Sequence, residues 1–467
     1  MKIPASIFRS YDIRGIYPDA LNEENIEHIG KAFGTFLVRK GLKKVVVGRD
    51  NRESSPTLSE SFISGLLSTG CNVTDIGISL TPIIHFLTCV KHFDAGVCVT
   101  ASHNPKEYNG LRMDYAKAVS FYGDDITKLR DIALREDYVT GKGSLQEENL
   151  SDLYIDYIAK RFSFNGVRVA IDCGNGTSSY FAEKIFSRIG CDVKTLYCEP
   201  NSTFPLGVPD PERKSFMNIL EESVKENDVD IGIAFDNDVD RFGVVDETGV
   251  SYETDKLLLL LAESVLEHTK GATIVYDVKC TGLLEKYIKD AGGVAKILRT
   301  GHPYITQAVQ AGALLGGEFS GHVVFGGQYF GYDDGIYSAC KVIEVMQNKE
   351  KPLSELMSKY PKLAHTSEIK VPSPDDKKFK IIEDVVAALM TTKEVRSVIS
   401  VDGVRVRINE TGWFLIRASN TTPVLSVRVE GKDENEVNQL LEMVRIILSP
   451  YDDLDVTVLD QAQIYFS

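Results

Sequence analysis

The chain has 467 residues, 43% hydrophobic and 25% charged, with 52 Lys and Arg against 67 Asp and Glu and a net charge of −15. This is the composition of an ordinary globular protein, long enough for about three or four domains of roughly 100–200 residues each. The acidic balance opposes non-specific association with nucleic acid or an anionic membrane, so any anionic substrate must be met by a local basic cluster. The opening Met1-Lys2-Ile3-Pro4 lacks a signal-peptide core, and the longest apolar stretch, Leu257 to Ala262, is too short to span a bilayer. Eight scattered cysteines without a Cys-x-x-Cys pair predict reduced, packed thiols and a cytoplasmic protein. The eight histidines show no zinc-ligand spacing.

In chain order, Tyr11 and Arg14 stand near the start, and Arg14 taken alone is a surface charge. A helix follows, capped by Asn22, with Ile26, Ile29, Phe33, Phe36 and Leu37 on one face. Then a unit recurs. Lys43 to Asp50, Val167 to Gly176 and Ala272 to Cys280 are each an apolar β-branched run that closes on a polar loop and leads into a helical stretch. Such alternation predicts parallel βαβ sheets, and domain-sized spacing predicts three similar α/β domains. Boundaries fall near Gly141–Ser144, after a hairpin turn at Asp246–Gly249, and beyond Lys349–Pro352. The last hundred or so residues change character. Strands at Ser397–Val401, Val404–Ile408, Phe414–Ala418 and Val424–Val429, then a helix over Glu434–Leu448, predict an α+β domain. The expected domains are 1–146, 147–251, 252–364 and 365–467.

Four loops could carry chemistry. Thr100 to Pro105 follows the apolar run Ala95–Val99 and cannot continue as a strand, because Pro105 donates no hydrogen bond. Ser102 therefore sits at the carboxyl end of a strand, where open α/β sheets bind ligands. Its hydroxyl could carry a phosphoryl group; an ST-turn or a helix cap is the plainer alternative. After the apolar run Ile231–Phe235, Asp236, Asp238 and Asp240 recur at every second position. Carboxylates so close repel one another unless a cation neutralises them, and Mg2+ takes such oxygens; a solvated acidic turn is the alternative. Arg241 beside them could hold a phosphate.

The third loop, Gly317 to His322, places Glu318 and Ser320 on one side if the segment is extended, where they could bond vicinal sugar hydroxyls. A loop turning on two glycines is equally consistent. In the fourth, Arg417 to Pro423, small hydroxyl and amide residues and one guanidinium suit an oxyanion; no Walker lysine is present. Lys279 and His302-Pro303 read as loop residues of the third unit that could add charge.

The set TASHNP, DNDVDR, GEFSGH and RASNTTP, in this order and spacing, resembles the α-D-phosphohexomutase superfamily. The stretches VKCT, TGH, GYDDGIYSA and DGVRV place the resemblance closest to its bacterial phosphomannomutase/phosphoglucomutase branch. The resemblance spans essentially the whole chain. It implies three similar mixed α/β domains plus a C-terminal α+β domain around a central active-site cleft, each giving one loop.

The resemblance also implies roles. Ser102 matches the phosphoserine, contacted by His103 and Arg241. Asp236, Asp238 and Asp240 match the ligands of one Mg2+ per chain, completed by the Ser102 phosphate. Glu318 and Ser320 match readers of sugar hydroxyls, and Arg417, Ser419, Asn420 and Thr421 match the loop that holds the non-reacting phosphate. Tyr11, Arg14, Lys279, His302 and His322 match residues that orient substrate or assist proton transfer. Two positions depart from the family pattern. Asn237 stands where glycine is common, and asparagine tolerates a left-handed turn. Arg112 stands where a lysine is the candidate base, and an arginine stays protonated. It could stabilise charge while proton transfer falls to His322 or another group.

The activity implied is Mg-dependent interconversion of hexose 1-phosphate and hexose 6-phosphate, of mannose or glucose, with a hexose 1,6-bisphosphate as intermediate and activator. The partners implied are hexose phosphates, with no nucleic acid or membrane; the chain is expected to be a monomer, with a dimer left open. The alternatives are a phosphoglucosamine mutase and a catalytically weak sugar-phosphate-binding paralogue.

Overall fold

A computed structural model describes residues 3–390, 396–419 and 422–466. The chain forms two compact units, one of residues 1–252, 306–312 and 320–356, the other of 253–305, 313–319 and 357–467. Asn420 and Thr421 lie outside the described residues.

The first unit holds two sheets. In one, strands run in the order Ile13–Ile16, Tyr108–Tyr115, Ala95–Val99, Lys44–Arg49, Asn72–Ile78 and Leu145–Glu147. Lys44–Arg49 pairs in parallel with both neighbours, and Tyr108–Tyr115 is antiparallel to Ile13–Ile16, to Ala95–Val99 and to the short strand Val119–Ser120. Ala95–Val99 is buried along its whole length, as its unbroken apolar run requires. The helix Glu23–Arg39 begins at Asn22, whose side chain accepts from the Asn25 N–H, and it lays Ile29, Phe33 and Phe36 into a core with Val45, Val97 and Phe121. The second sheet centres on Ile231–Phe235, parallel to Arg168–Asp172 and antiparallel to Phe242–Asp246, which turns through Gly249 (φ 80°) to Ser251–Tyr252.

The second unit contains three parallel strands, with Thr273–Asp277 between Val294–Leu298 and Leu315–Gly317. It also contains an antiparallel sheet built on Val404–Arg407, Trp413–Ala418 and Val424–Gly431, with the helix Glu434–Leu448 packed on it through Val437, Leu440 and Leu441. The mixed α/β sheets and the terminal α+β sheet agree with the sequence reading. Leu257 to Ala262, the longest apolar run, is the buried stretch of the helix Thr254–His268, and no helix among the described residues is long and apolar enough to cross a membrane.

The expectation of reduced cysteines fails for one pair. Cys173 and Cys198 are joined by a disulfide. Sequence separation hid the pair, since parallel strand neighbours bring together residues that follow two different strands. The other six cysteines are free.

Candidate active site

Ser102 sits where the buried strand Ala95–Val99 ends. It takes a left-handed backbone (φ 50°) and is almost fully buried. Its hydroxyl donates to Asp236 Oδ2 at 2.8 Å and lies 3.0 Å from His103 Nδ1. Burial first, then the Arg241 and Arg14 cations, hold the His103 imidazole well below the ordinary histidine range, so it faces Ser102 uncharged. The loop is pinned from outside by Arg52. This buried guanidinium donates to the carbonyls of Ser102 (2.6 Å), Asn104 (2.7 Å), Pro105 (2.8 Å) and Tyr108 (3.0 Å). Asp50 orients it through Oδ2 at 3.2 Å and takes the Thr100 hydroxyl on the same oxygen at 2.8 Å. Arg14, on the strand Ile13–Ile16, reaches over the loop, bonding the Ala101 carbonyl at 3.3 Å and the Asn104 side chain, with Asp12 behind it at 2.7 Å. Tyr11 is half-buried in the loop before that strand.

The acidic loop turns so that Asp236, Asp238 and Asp240 converge, their ligand oxygens within 4.8 Å of one another. All three are buried. Burial, followed by mutual repulsion, raises the carboxyls of Asp238 (to about 6) and Asp240. Burial also raises Asp236, against the pull of Arg241. Asp238 Oδ1 and Asp240 Oδ1 have no hydrogen-bond partner. Dehydrated carboxylates that share unsatisfied oxygens are the donor set of a hard divalent cation, so Mg2+ fits these residues. Supports lie on both sides. Thr81, opening the helix Thr81–Val90, donates its hydroxyl to Asp238 Oδ2 at 2.7 Å and its N–H to the Asp238 carbonyl at 3.0 Å. Arg241 Nε donates to Asp236 Oδ2 at 3.1 Å, and its Nη1 reaches Glu212 (3.1 Å) and the Ser320 carbonyl (3.4 Å).

The turn is not made as the sequence suggested. Asn237 is not among the positive-φ residues; Val239 is, at φ 67° and fully buried. A β-branched residue in that region is strained. Its carbonyl is held at 3.0 Å by the N–H of Gly335, where a Cβ would come within 2.7 Å of the Arg241 carbonyl. Asn237 instead acts through its amide, donating to Asp50 Oδ2 at 3.0 Å and accepting from the Thr177 N–H at 3.2 Å.

Beside the acidic loop lies a charged cluster. Arg112 Nη1 donates to Asp240 Oδ2 at 2.8 Å, and its Nη2 donates to both oxygens of Asp333 at 3.0 and 3.1 Å. Burial opposes its charge, but Asp333 and Asp240 more than offset that and raise it further. His322 Nδ1 is 2.9 Å from Asp333 Oδ2. Behind them His85, fully buried, meets Asp114 at 3.1 Å and Asp333 at 3.4 Å; against burial, these carboxylates push it up to about 9.

The second unit carries the remaining candidates. Lys279, in the turn after Thr273–Asp277, reaches Glu368 Oε2 at 3.3 Å. Lys279, ahead of an opposing burial cost, holds the Glu368 carboxyl down to about 2. Arg417 Nε donates to Asp402 Oδ2 at 3.0 Å, which also takes the Thr300 N–H at 3.1 Å. Glu318 Oε1 accepts the Gly301 N–H at 2.6 Å. Ser419 Oγ and Thr422 Oγ1 are 2.8 Å apart, and Thr422 returns its N–H to Ser419 Oγ at 3.2 Å. His302 is not in a loop but opens the helix His302–Gln310. Glu318 and Ser320 do not share an extended face: the strand stops at Gly317, Phe319 and Ser320 turn, and Gly321 takes φ 106°.

Four domain models match the chain in order. They are phosphoglucomutase/phosphomannomutase alpha/beta/alpha domain I over residues 5–140, domain II over 152–249, domain III over 253–363, and the C-terminal domain over 368–447. The chain is 38% identical to the phosphomannomutase/phosphoglucomutase of Pseudomonas aeruginosa over 454 residues, 96% of this chain and 97% of that one. The chain belongs to the phosphoglucomutase/phosphomannomutase family. A phosphoglucomutase of Neisseria gonorrhoeae is 34% identical over 96% of this chain and 97% of its own. A crystal structure of a phosphoglucomutase/phosphomannomutase family protein from Burkholderia thailandensis superposes with a TM-score of 0.91 at 33% identity, covering 97% of this chain and 99% of that one. Within the family, the members named here are mutases, and this chain is likewise an intramolecular phosphotransferase.

Several supports of this family site were missed from the sequence. Arg52, Thr81 and Asp333 are not singled out there, and Asp50 reads only as the end of an apolar run. Only the Asp50-Asn51-Arg52 run, polar straight after a buried strand, carried a signal, and it resembles the signal at Ser102.

Proposed function

We propose that the chain is a Mg2+-dependent phosphohexomutase that interconverts hexose 1-phosphate and hexose 6-phosphate, with Ser102 as the phosphoryl carrier. The observation that carries this reading is the Ser102 hydroxyl 2.8 Å from Asp236, beside two buried carboxylate oxygens without hydrogen-bond partners. Phosphoryl transfer asks little covalent chemistry of a protein beyond position and charge. Asp236, Asp238 and Asp240 would hold Mg2+, which supplies charge stabilisation to the phosphoryl oxygens when bound.

The chain's own residues do the rest. Arg52 keeps the Ser102 loop rigid, and Arg241 and Arg14 bring positive charge to the phosphoryl group. Arg112 stays protonated, engaged by Asp240 and Asp333; it neutralises charge and takes no proton. His322, with Nδ1 2.9 Å from Asp333 Oδ2, takes the proton of the attacking sugar hydroxyl. A hexose 1,6-bisphosphate forms, turns, and returns its other phosphate to Ser102. Arg417, Ser419, Asn420 and Thr421 hold the phosphate that is not reacting, with Lys279 and His302 adding positive charge and hydrogen bonds, and Glu318 and Ser320 read the sugar hydroxyls. The protein works in the cytoplasm.

The test is steady-state turnover of glucose 1-phosphate, mannose 1-phosphate and glucosamine 1-phosphate with Mg2+ and a trace of hexose 1,6-bisphosphate. Comparable rates on glucose and mannose are expected. A strong preference for glucosamine, or no turnover of any, overturns this reading.

A further inference from the structure

The one disulfide among the described residues leads to the catalytic loops. Cys173 follows the strand Arg168–Asp172, Cys198 follows the neighbouring strand Asp192–Leu196, and their sulfurs are bonded. The loops so joined have uncommon backbones, with Gly174, Asn175 and Tyr197 at φ 51°, 59° and 48°. For Asn175 and Tyr197, which carry a Cβ, that conformation must be held by its surroundings. Asn175 supplies part of the hold, donating its N–H to the Tyr197 carbonyl at 2.7 Å and its side-chain amide to the Glu199 carbonyl at 2.8 Å.

From this turn, hydrogen bonds run unbroken to both catalytic loops. The Asn175 carbonyl accepts from Asn51 Nδ2 at 2.8 Å, and the Thr177 hydroxyl accepts the Asn51 N–H at 3.1 Å. The Thr177 N–H donates to Asn237, which lies between two of the clustered aspartates and donates to Asp50 Oδ2. That oxygen also takes the Thr100 hydroxyl, and Thr100 Oγ1 accepts the Ser102 N–H at 2.9 Å.

Chemistry at sulfur concentrates on this pair. Desolvation raises all six free thiols: half-buried Cys89 and buried Cys191 to about 12, Cys71 above the ordinary value, and Cys98, Cys280 and Cys340 well above it. Buried, protonated thiols are inert. Cys198 is only half-buried as a residue, whereas Cys173 is fully buried, so Cys198 is the more exposed member of the pair.

We propose that Cys173–Cys198 is a reversible thiol–disulfide exchange site for a dithiol reductant, and that its redox state sets the rigidity of the loops bearing Ser102 and the aspartate cluster. The reductant's thiolate attacks Cys198 Sγ, the S–S bond breaks, and Cys173 leaves as a thiolate that takes up a proton. The second reductant thiol, as thiolate, then displaces Cys198, which is protonated in turn. The protein gains two electrons and two protons, and the dithiol, now a disulfide, loses them. Disulfides in reducing compartments are characteristically transient or redox-sensing. Reduction leaves the 173–177 turn to its hydrogen bonds alone and loosens the hold of Thr177 on Asn237.

The test compares full-length protein in the oxidised state, in the state reduced by dithiothreitol, and after reoxidation, with Cys173 and Cys198 scored by alkylation under denaturing conditions. Reduction is expected to speed amide hydrogen exchange about tenfold over residues 173–177 and 236–241, and reoxidation to reverse it. The Cys173→Ser/Cys198→Ser double variant, folded by circular dichroism, is expected to exchange at the fast rate with or without reductant. Equal exchange in the two redox states overturns the proposal, as does free alkylation of both cysteines after oxidant treatment. A parallel turnover measurement rests on the phosphohexomutase reading and is expected to show an about tenfold fall in kcat on reduction. Absence of turnover in both states counts against that reading alone, because the exchange measurement decides this one.

Discussion

The charged residues around Ser102 and those around Lys279 and Arg417 are held in different ways. Around Ser102 and the three aspartates, buried groups are tied by many short bonds: Arg52 alone holds four carbonyls and a carboxylate. Among the buried side-chain atoms there without a hydrogen-bond partner are carboxylate oxygens of Asp238 and Asp240, together with Arg241 Nη2 and Arg112 Nε. Around Lys279 and Arg417, each cation meets a carboxylate, Glu368 at 3.3 Å and Asp402 at 3.0 Å. A group that transfers a phosphoryl must be placed within a fraction of an ångström. In the proposed reaction the loops around Lys279 and Arg417 accept either phosphate of a bisphosphate, and there the cations are held by single carboxylates. If this contrast is functional, changes to the first unit should act on kcat, and changes to the second on binding and stability.

The largest effect is expected at the carrier itself. Ser102→Ala removes the proposed acceptor of the phosphoryl group and should lower kcat about a thousandfold or more, with thermal unfolding unchanged. Retained activity would detach the chemistry from this loop. Next is Arg52→Lys, which keeps the charge but loses the planar fork that serves several carbonyls at once. A fall in kcat of about tenfold to a hundredfold is expected, with KM for hexose 1-phosphate changed less than about threefold. An equal rise in KM would mean that Arg52 acts on binding and not on the position of Ser102.

The second unit is probed by pH. Lys279 holds the Glu368 carboxyl down to about 2, below its ordinary 4.5, so the pair stabilises the fold above that ordinary value and loses its contribution as pH falls from about 4.5 through about 2. Glu368→Gln should therefore cost about 1–3 kcal/mol in urea unfolding at neutral pH, a figure that allows for partial exposure of the carboxylate. The gap to the wild type should narrow as pH drops through that window. A gap that persists unchanged at the acid end would show that the loss lies in packing.

The sequence revealed the loops and hid what holds them. Ala95–Val99 and Ile231–Phe235 are unbroken apolar runs, so the strands, and therefore the polar residues at their ends, could be placed by local pattern. The supports act over long separations: Arg52 reaches carbonyls about fifty residues on, and Arg112 meets Asp333 across 221 positions. No local periodicity encodes such contacts. The shared extended face expected of Glu318 and Ser320 is absent for a different reason. Alternation predicts a shared face only if the segment stays extended, and the chain turns at Phe319.

The smallest expected effect sharpens the same point. Asn237 occupies a position where the family resemblance expects glycine, which suggests a left-handed turn, yet that conformation falls two residues later at Val239. Asn237→Gly should therefore relieve no backbone strain at its own position. It removes the amide that bridges Asp50 and Thr177, three hydrogen bonds counting both contacts with Thr177, and leaves Asp50 still bonded to Arg52 and Thr100. A stability loss of about 1–2 kcal/mol follows from the lost bonds and the added chain entropy. Because the Ser102 loop keeps its other ties, kcat should change less than about threefold. A larger fall in kcat would make the Asn237 bridge, and not Arg52 alone, the element that sets the phosphoryl carrier against the acidic loop.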